Sequence, residues 1–161
     1  MTKASKAYIA LGANLNSPAS TLESALETIS QSKGIELVKR SSLYRSLPLD
    51  ADGPDYINAV AEIKTTLSPL QLLHQLQAIE NAFGRERLYR NSPRTLDLDV
   101  LLYENFNSDS AELTVPHPRM HLRSFVLMPL MEIAGYMQLA QGSAAELLDA
   151  AMASGQQITK C

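Results

Sequence analysis

The sequence predicts an α+β fold with one antiparallel sheet, and three observations point there. Strand-like and helix-like segments follow one another as strand, helix, strand, strand, helix, strand, then a mixed tail. At 161 residues the chain suits a single domain, 1–161, with one substantial core. Apolar residues make up 45% and charged residues 19%, the balance of an ordinary globular protein.

The elements follow in order. Ala7–Leu11 (AYIAL) reads as a buried first strand, and Gly12-Ala13-Asn14 as a turn. Ser17-Pro18 opens a helix expected over about Ser20 to Gln31, because Leu22, Ala25, Leu26 and Ile29 recur at helical spacing. Gly34 ends it, and Ile35–Tyr44 is rich in strand formers. Residues 46–55 carry two prolines, a glycine and three acidic groups, which makes a loop. Tyr56–Thr65 alternates, with Ile57, Ala59, Ala61 and Ile63 on the apolar side.

Ser68 is placed to cap a second helix with Pro69 at its first position. Leu70, Leu73, Leu76, Ile79 and Phe83 form its stripe, and Gly84 ends it. A basic loop over 85–94 leads into the strand Thr95–Tyr103. Residues 104–118 are polar and broken by proline. Ser124–Ile133 reads as a short helix bent at Pro129, and Ser143–Ala153 as a last helix. This order matches the split β-α-β arrangement of ferredoxin-like folds, a βαββαβ core with helices on one sheet face and a mixed C-terminal extension.

Net charge is −3 and the pI is near 5.6. No basic surface or tail exists to attract nucleic acid, and no run of about 18 apolar residues or secretory signal is present. One cysteine, Cys161, allows no internal disulfide, so a reducing compartment is expected; the protein is expected to be cytoplasmic and a monomer.

The average charge conceals one local bias. Four of the eight arginines, Arg85, Arg87, Arg90 and Arg94, stand just before Asp97 and Asp99. On a strand these two aspartates point to one side, about 6.6–6.8 Å apart at Cα, while Leu96, Leu98 and Val100 point to the other. Carboxylates at that spacing repel unless a cation sits between them, and magnesium suits oxygen ligands shared with substrate phosphates. Seen alone, the pair is better read as two aspartates on a solvated sheet face. Four arginines exceed what two aspartates need, and guanidinium forks suit phosphate oxygens, so a nucleotide-triphosphate site is the stronger reading. No glycine-rich Walker or kinase loop is present to hold the phosphates.

Six blocks in order, ALGANL (10–15), SSLYRS (41–46), GPDYINAV (53–60), FGRER (83–87), PRTLDLDVLLY (93–103) and VPHPRMHLRSFVLMPLMEIA (115–134), resemble the 6-hydroxymethyl-7,8-dihydropterin pyrophosphokinase family. The resemblance implies a magnesium-dependent transfer of the β,γ-pyrophosphoryl group of ATP to a reduced pterin, releasing AMP, in folate biosynthesis. It implies two Mg2+ ions, bound with ATP, on Asp97 and Asp99. It also implies charge stabilisation by Arg85 and Arg94, a closing loop bearing Arg87 and Arg90, and ATP contacts from Gln77, Glu80, His117 and Arg123. For the pterin it implies stacking by Tyr56 and Phe125, an edge read by Asn58, and loop backbone near Ser46 and Leu49. Without the resemblance, Tyr56 and Phe125 read as ordinary core packing. His74 is expected on a helix surface, and His121 has no assigned role.

Where the family usually has Arg-Trp-Gly-Pro-Arg, this chain has Arg90-Asn91-Ser92-Pro93-Arg94; Leu47 replaces a usual proline, and residues 49–53 a glycine-richer stretch. These changes cluster around the pterin loop and lid. They leave a second reading, a diverged paralogue that binds ATP with little turnover or another substrate. A third, an interaction module whose arginines bind RNA or acidic partners, is opposed by the acidic pI.

Overall fold

A computed structural model describes residues 3–15, 17–47, 54–84, 96–135 and 137–161. The chain runs β1 (Ser5–Ala13), α1 (Pro18–Ser30), β2 (Ile35–Arg40), β3 (Tyr44–Ser46), β4 (Tyr56–Thr65), α2 (Pro69–Ala82) and β5 (Asp97–Tyr103). It continues through β6 (Ser108–Asp109), β7 (Thr114–Val115), a 3-10 turn (Met120–Leu122) and α3 (Ser124–Ala134). Then come β8 (Gln138–Leu139), β9 (Gly142–Ser143), α4 (Ala144–Ala153) and β10 (Ile158–Lys160).

Among the described residues the main sheet has the order β10-β3-β4-β1-β5, with β2 on β4 beside β3, and every pairing is antiparallel. β4 has the bounds its alternation predicts. Ile57, Ala59, Ala61 and Ile63 join Leu22, Leu26, Leu72 and Leu76 in the larger core under α1 and α2. α2 starts as expected at Ser68 and Pro69. Ser68 Oγ accepts from the Gln71 N–H at 3.2 Å, and Gln71 Oε1 accepts from the Ser68 N–H at 2.9 Å.

Two expectations are corrected. Ile35–Tyr44 is not one strand: β2 stops at Arg40 and β3 begins at Tyr44. The Ser41 N–H donates to the Val60 carbonyl at 2.9 Å, but the Val60 N–H is met by the Ser41 hydroxyl, also at 2.9 Å. A side chain replaces a backbone carbonyl there, and the ladder breaks. Secondly, helices do not lie on one face only. α3 covers part of the opposite face, where Tyr8, Val60 and Leu101 form a second core with Met120, Val126, Leu127 and Leu130.

That second face is divided by its chemistry. Its apolar half is sealed by α3. Its other half carries Asn58, Gly12 and Asp97 in one cross-strand row, with Ala10 beside Asp99 in the next. Among the described residues no helix seals this half as α3 seals the other, and it forms the floor of a cavity.

Candidate active site

The cavity has a volume of about 240 Å³. Its floor is β1, β4 and β5, and one wall is the end of β3 with Leu47. The other wall is the segment from His117 through Arg123 to the first turn of α3. Asp97, Asp99, His117, Arg123, Tyr56, Asn58, Phe125 and Ser46 all line it. Those eight predicted positions come from five separate stretches of chain. Their convergence is a property of the sheet order, since Asp97 and Asn58 flank Gly12 on adjacent strands.

The aspartates follow the alternation expected of them. Leu96, Leu98 and Val100 are buried in the larger core, while Asp97 is half-buried and Asp99 exposed on the cavity side. Both aspartates act on Arg123. Burial pushes the Arg123 pKa down and the Asp99 carboxylate pulls it back up; the net shift is downward, and the guanidinium stays charged. Arg123 also lies 5.5 Å from the centroid of the Phe125 ring, a cation–π contact joining the charged and aromatic parts of the cavity.

Burial likewise lowers the His117 pKa, and Arg123 and Arg119 add to this against the pull of Asp99. The imidazole is therefore neutral at neutral pH. Its Nδ1 accepts from the Arg119 N–H at 3.2 Å, which leaves Nε2 as the protonated nitrogen and a donor. A cationic fork, a neutral N–H donor and the start of a helix together favour an anion on this side.

On the opposite side Asn58 is 4% exposed. Its Nδ2 donates to Ser46 Oγ at 2.7 Å, fixing the amide plane. Buried amides of this kind discriminate between rings by their hydrogen-bonding edge.

Two predicted positions do not line the cavity. Gln77 is exposed on α2. Glu80, one turn on, is 4% exposed, and its carboxylate accepts from the Leu98 N–H at 2.8 Å. β5 is the edge of the sheet, so Glu80 satisfies an edge donor between the two aspartates and braces the strand that presents them. Leu49, Arg85, Arg87, Arg90 and Arg94, with the departures at Asn91 and Ser92, lie outside the described residues. His74 is on the α2 surface as expected, 3.2 Å from Glu112.

Three contributors escaped the sequence reading. Gly12 lines the cavity between Asn58 and Asp97. Glu132 of α3 accepts from the Ser42 N–H, the Ser42 hydroxyl and the Tyr44 hydroxyl, at 2.9, 2.8 and 2.6 Å, and ties the two cavity walls together. β10 pairs with β3 behind Ser46. Gly12 is expected from the sequence to start a turn, but Gly12 and Ala13 continue β1, paired with Asn58 and Ile57 of β4.

A family model for 7,8-dihydro-6-hydroxymethylpterin-pyrophosphokinase matches residues 8–135. The chain belongs to this family. The 2-amino-4-hydroxy-6-hydroxymethyldihydropteridine pyrophosphokinase of Haemophilus influenzae is 57% identical over 129 residues, covering 80% of this chain and 81% of the relative. The Pseudomonas aeruginosa pyrophosphokinase is 45% identical over 138 residues, covering 85% of each. The solved structure of wild-type HPPK-DHPS from Plasmodium falciparum shares the fold, with TM-score 0.71 at 13% identity. This pyrophosphokinase-family chain aligns over 92% of its own length with 41% of that longer chain.

Proposed function

We propose that the protein transfers pyrophosphate from ATP to 6-hydroxymethyl-7,8-dihydropterin in folate biosynthesis. The hydroxymethyl oxygen attacks the β-phosphorus of ATP, the bond from that phosphorus to the oxygen shared with the α-phosphorus breaks, and AMP leaves. The hydroxyl proton is released to solvent as the new bond forms. One observation carries the reading: a carboxylate pair, a histidine and an arginine share a cavity with two aromatic rings and a buried amide.

The donor set fits a divalent cation. Asp97 and Asp99 stand on one face of β5 at the cavity. No cluster of three or more His, Cys, Asp or Glu exists among the described residues. A magnesium site here therefore needs phosphate oxygens and water beside the two carboxylates, which is the usual partition for that ion. Two Mg2+ ions held this way would neutralise phosphate charge as the transfer proceeds. Arg123 and His117 grip the triphosphate, with Gln77 and Glu80 assigned near the nucleotide from α2. Arg85 and Arg94 stabilise charge on the transferred group, and Arg87 and Arg90 close over ATP and exclude water.

Tyr56 and Phe125 stack on the pterin, and Asn58, held by Ser46, reads its edge, with Leu49 in the adjoining loop. We read the strand order β5-β1-β4-β2, with α1 and α2 on one face, as the ferredoxin-like arrangement. No helix among the described residues is long and apolar enough to cross a membrane. We assign the protein to the cytoplasm as a monomeric single domain. The 57% identity to a pyrophosphokinase favours turnover over the ATP-binding paralogue.

The test mixes purified protein, ATP, magnesium and 6-hydroxymethyl-7,8-dihydropterin and assays AMP by chromatography. AMP formed only when the pterin is present supports the proposal. ATP binding by calorimetry with no AMP over hours refutes it.

A further inference from the structure

Gln156 lies outside the 8–135 stretch of the family match. Its side chain bridges the two neighbours of Arg123. Nε2 donates to the Leu122 carbonyl at 2.7 Å, and Oε1 accepts from the Ser124 N–H at 2.8 Å. Between them Arg123 is extended, with φ −112 and ψ 111, where the 3-10 turn gives way to α3. Ser124 opens α3, so its N–H is one of the orphan donors of a helix start. Ser124 is 1% exposed, so water is a poor substitute partner. A glutamine carries one acceptor and one donor on the same planar group, as this double contact demands.

Arg123 itself has a half-buried side chain among Asp99, Phe125 and His117. The direction of a side chain follows its backbone. Clamping the groups on either side of Arg123 therefore sets where the guanidinium points. Just beyond Gln156, the Leu47 N–H donates to the Gln157 carbonyl at 3.4 Å, and Ile158 pairs with Ser46. One short segment thus supports the arginine on one wall and the Ser46–Leu47 strand end on the other.

We infer that Gln156 is a positioning residue for Arg123: its amide clamp on residues 122 and 124 holds the guanidinium in the orientation that receives the triphosphate of ATP. The inference rests on the proposed ATP site. Gln156 does not line the cavity and acts only through Arg123.

The experiment measures binding of a non-hydrolysable ATP analogue with magnesium by calorimetry. Wild type is compared with Gln156→Ala, Gln156→Glu, Arg123→Ala and the Arg123→Ala/Gln156→Ala double variant. Melting temperatures are recorded for all. Loss of the clamp is expected to weaken analogue binding about 5- to 10-fold. In the Arg123→Ala background, Gln156→Ala should change analogue affinity by less than about twofold, because its effect passes through the missing arginine. Gln156→Glu keeps the acceptor and lacks the donor. Its deficit against wild type should shrink at acid pH, when the protonated carboxyl can donate to Leu122.

Additive effects in the double variant overturn the inference, as does unchanged analogue affinity in both Gln156 variants. Wild-type protein that binds no analogue overturns the ATP reading instead. In that case hydrogen exchange at the Ser124 amide decides the clamp: faster exchange in Gln156→Ala supports it, and an unchanged rate refutes it.

Discussion

Replacing Gly12 by alanine tests the pterin half of the site with one added carbon. Gly12 faces Asn58 across β4 and Asp97 across β5. A Cβ there meets Asn58 Oδ1 at 3.3 Å. Chain neighbours aside, no other described atom comes within 4 Å of it. The amide gives way only by straining its Nδ2 bond to Ser46, which is 2.7 Å long. In the empty protein it can swing toward the open cavity. With a ring bound it must return and meet the methyl. Overpacking of this sort costs about 1–3 kcal/mol, which is about 5- to 150-fold in pterin affinity. The backbone at Gly12 is not in the left-handed region, so alanine is accepted there. It even gains about 0.5–1 kcal/mol over glycine through the unfolded chain. The expected result is a melting temperature close to wild type with pterin binding at least about fivefold weaker. ATP binding should stay within about threefold of wild type. Calorimetry with pterin and with an ATP analogue, plus a thermal melt, measures all three. Undiminished pterin affinity in Gly12→Ala refutes the reasoning, because Asn58 then does not read the ring.

Three further predictions follow from the same geometry. Asp97→Asn and Asp99→Asn should each lower magnesium-dependent AMP formation by at least about 100-fold, by the logic of charge stabilisation at phosphoryl groups; a variant retaining a third of wild-type rate would remove that aspartate from the metal site. Burial pushes the Glu132 carboxyl up, but hydrogen bonds from Tyr44 and Ser42, with Lys160 nearby, outweigh it and hold the pKa below its ordinary 4.5. A depressed folded-state pKa gives stability above the ordinary value that is lost as pH falls through the folded one. The melting-temperature advantage of wild type over Glu132→Gln should therefore be full at neutral pH and disappear below 4.5; an advantage independent of pH contradicts this. Leu70, expected in the apolar stripe of α2, is 41% exposed, and Leu72, left out of that stripe, is fully buried. Leu72→Ala should cost about 2–5 kcal/mol in denaturant unfolding, and Leu70→Ala within about 0.5 kcal/mol; a larger loss at Leu70 than at Leu72 would place α2 the other way round.

Periodicity located the strands and helices whose apolar faces are regular. β4 and the start of α2 match their reading because alternation and a Ser-Pro start are local signals. The break between β2 and β3 was not legible, because it depends on the Ser41 hydroxyl meeting an N–H on another strand. β10 was missed because three residues carry too little pattern to register. Among the proposed site residues, alternation alone gave the two aspartates their side of the strand, since their leucine neighbours had to face a core, but reading them as a metal pair took the neighbouring arginines and the resemblance. Tyr56, Asn58, His117, Arg123 and Phe125 came only through resemblance, as each is also compatible with ordinary packing.

What the sequence by itself determined is the set of elements, the sidedness of Asp97 and Asp99, and the family. These depend on residues near one another in the chain or on ordered blocks. What only the tertiary structure decided is which half of the second sheet face α3 seals, and what braces the other half. Glu80 at the β5 edge, Glu132 between the walls and Gln156 behind Arg123 each act across 18 or more residues of chain. The contacts at Leu98, Leu122 and Ser124 are to backbone groups, and Glu132 adds the Ser42 and Tyr44 hydroxyls to a backbone N–H, so the side-chain pattern along the chain does not announce them.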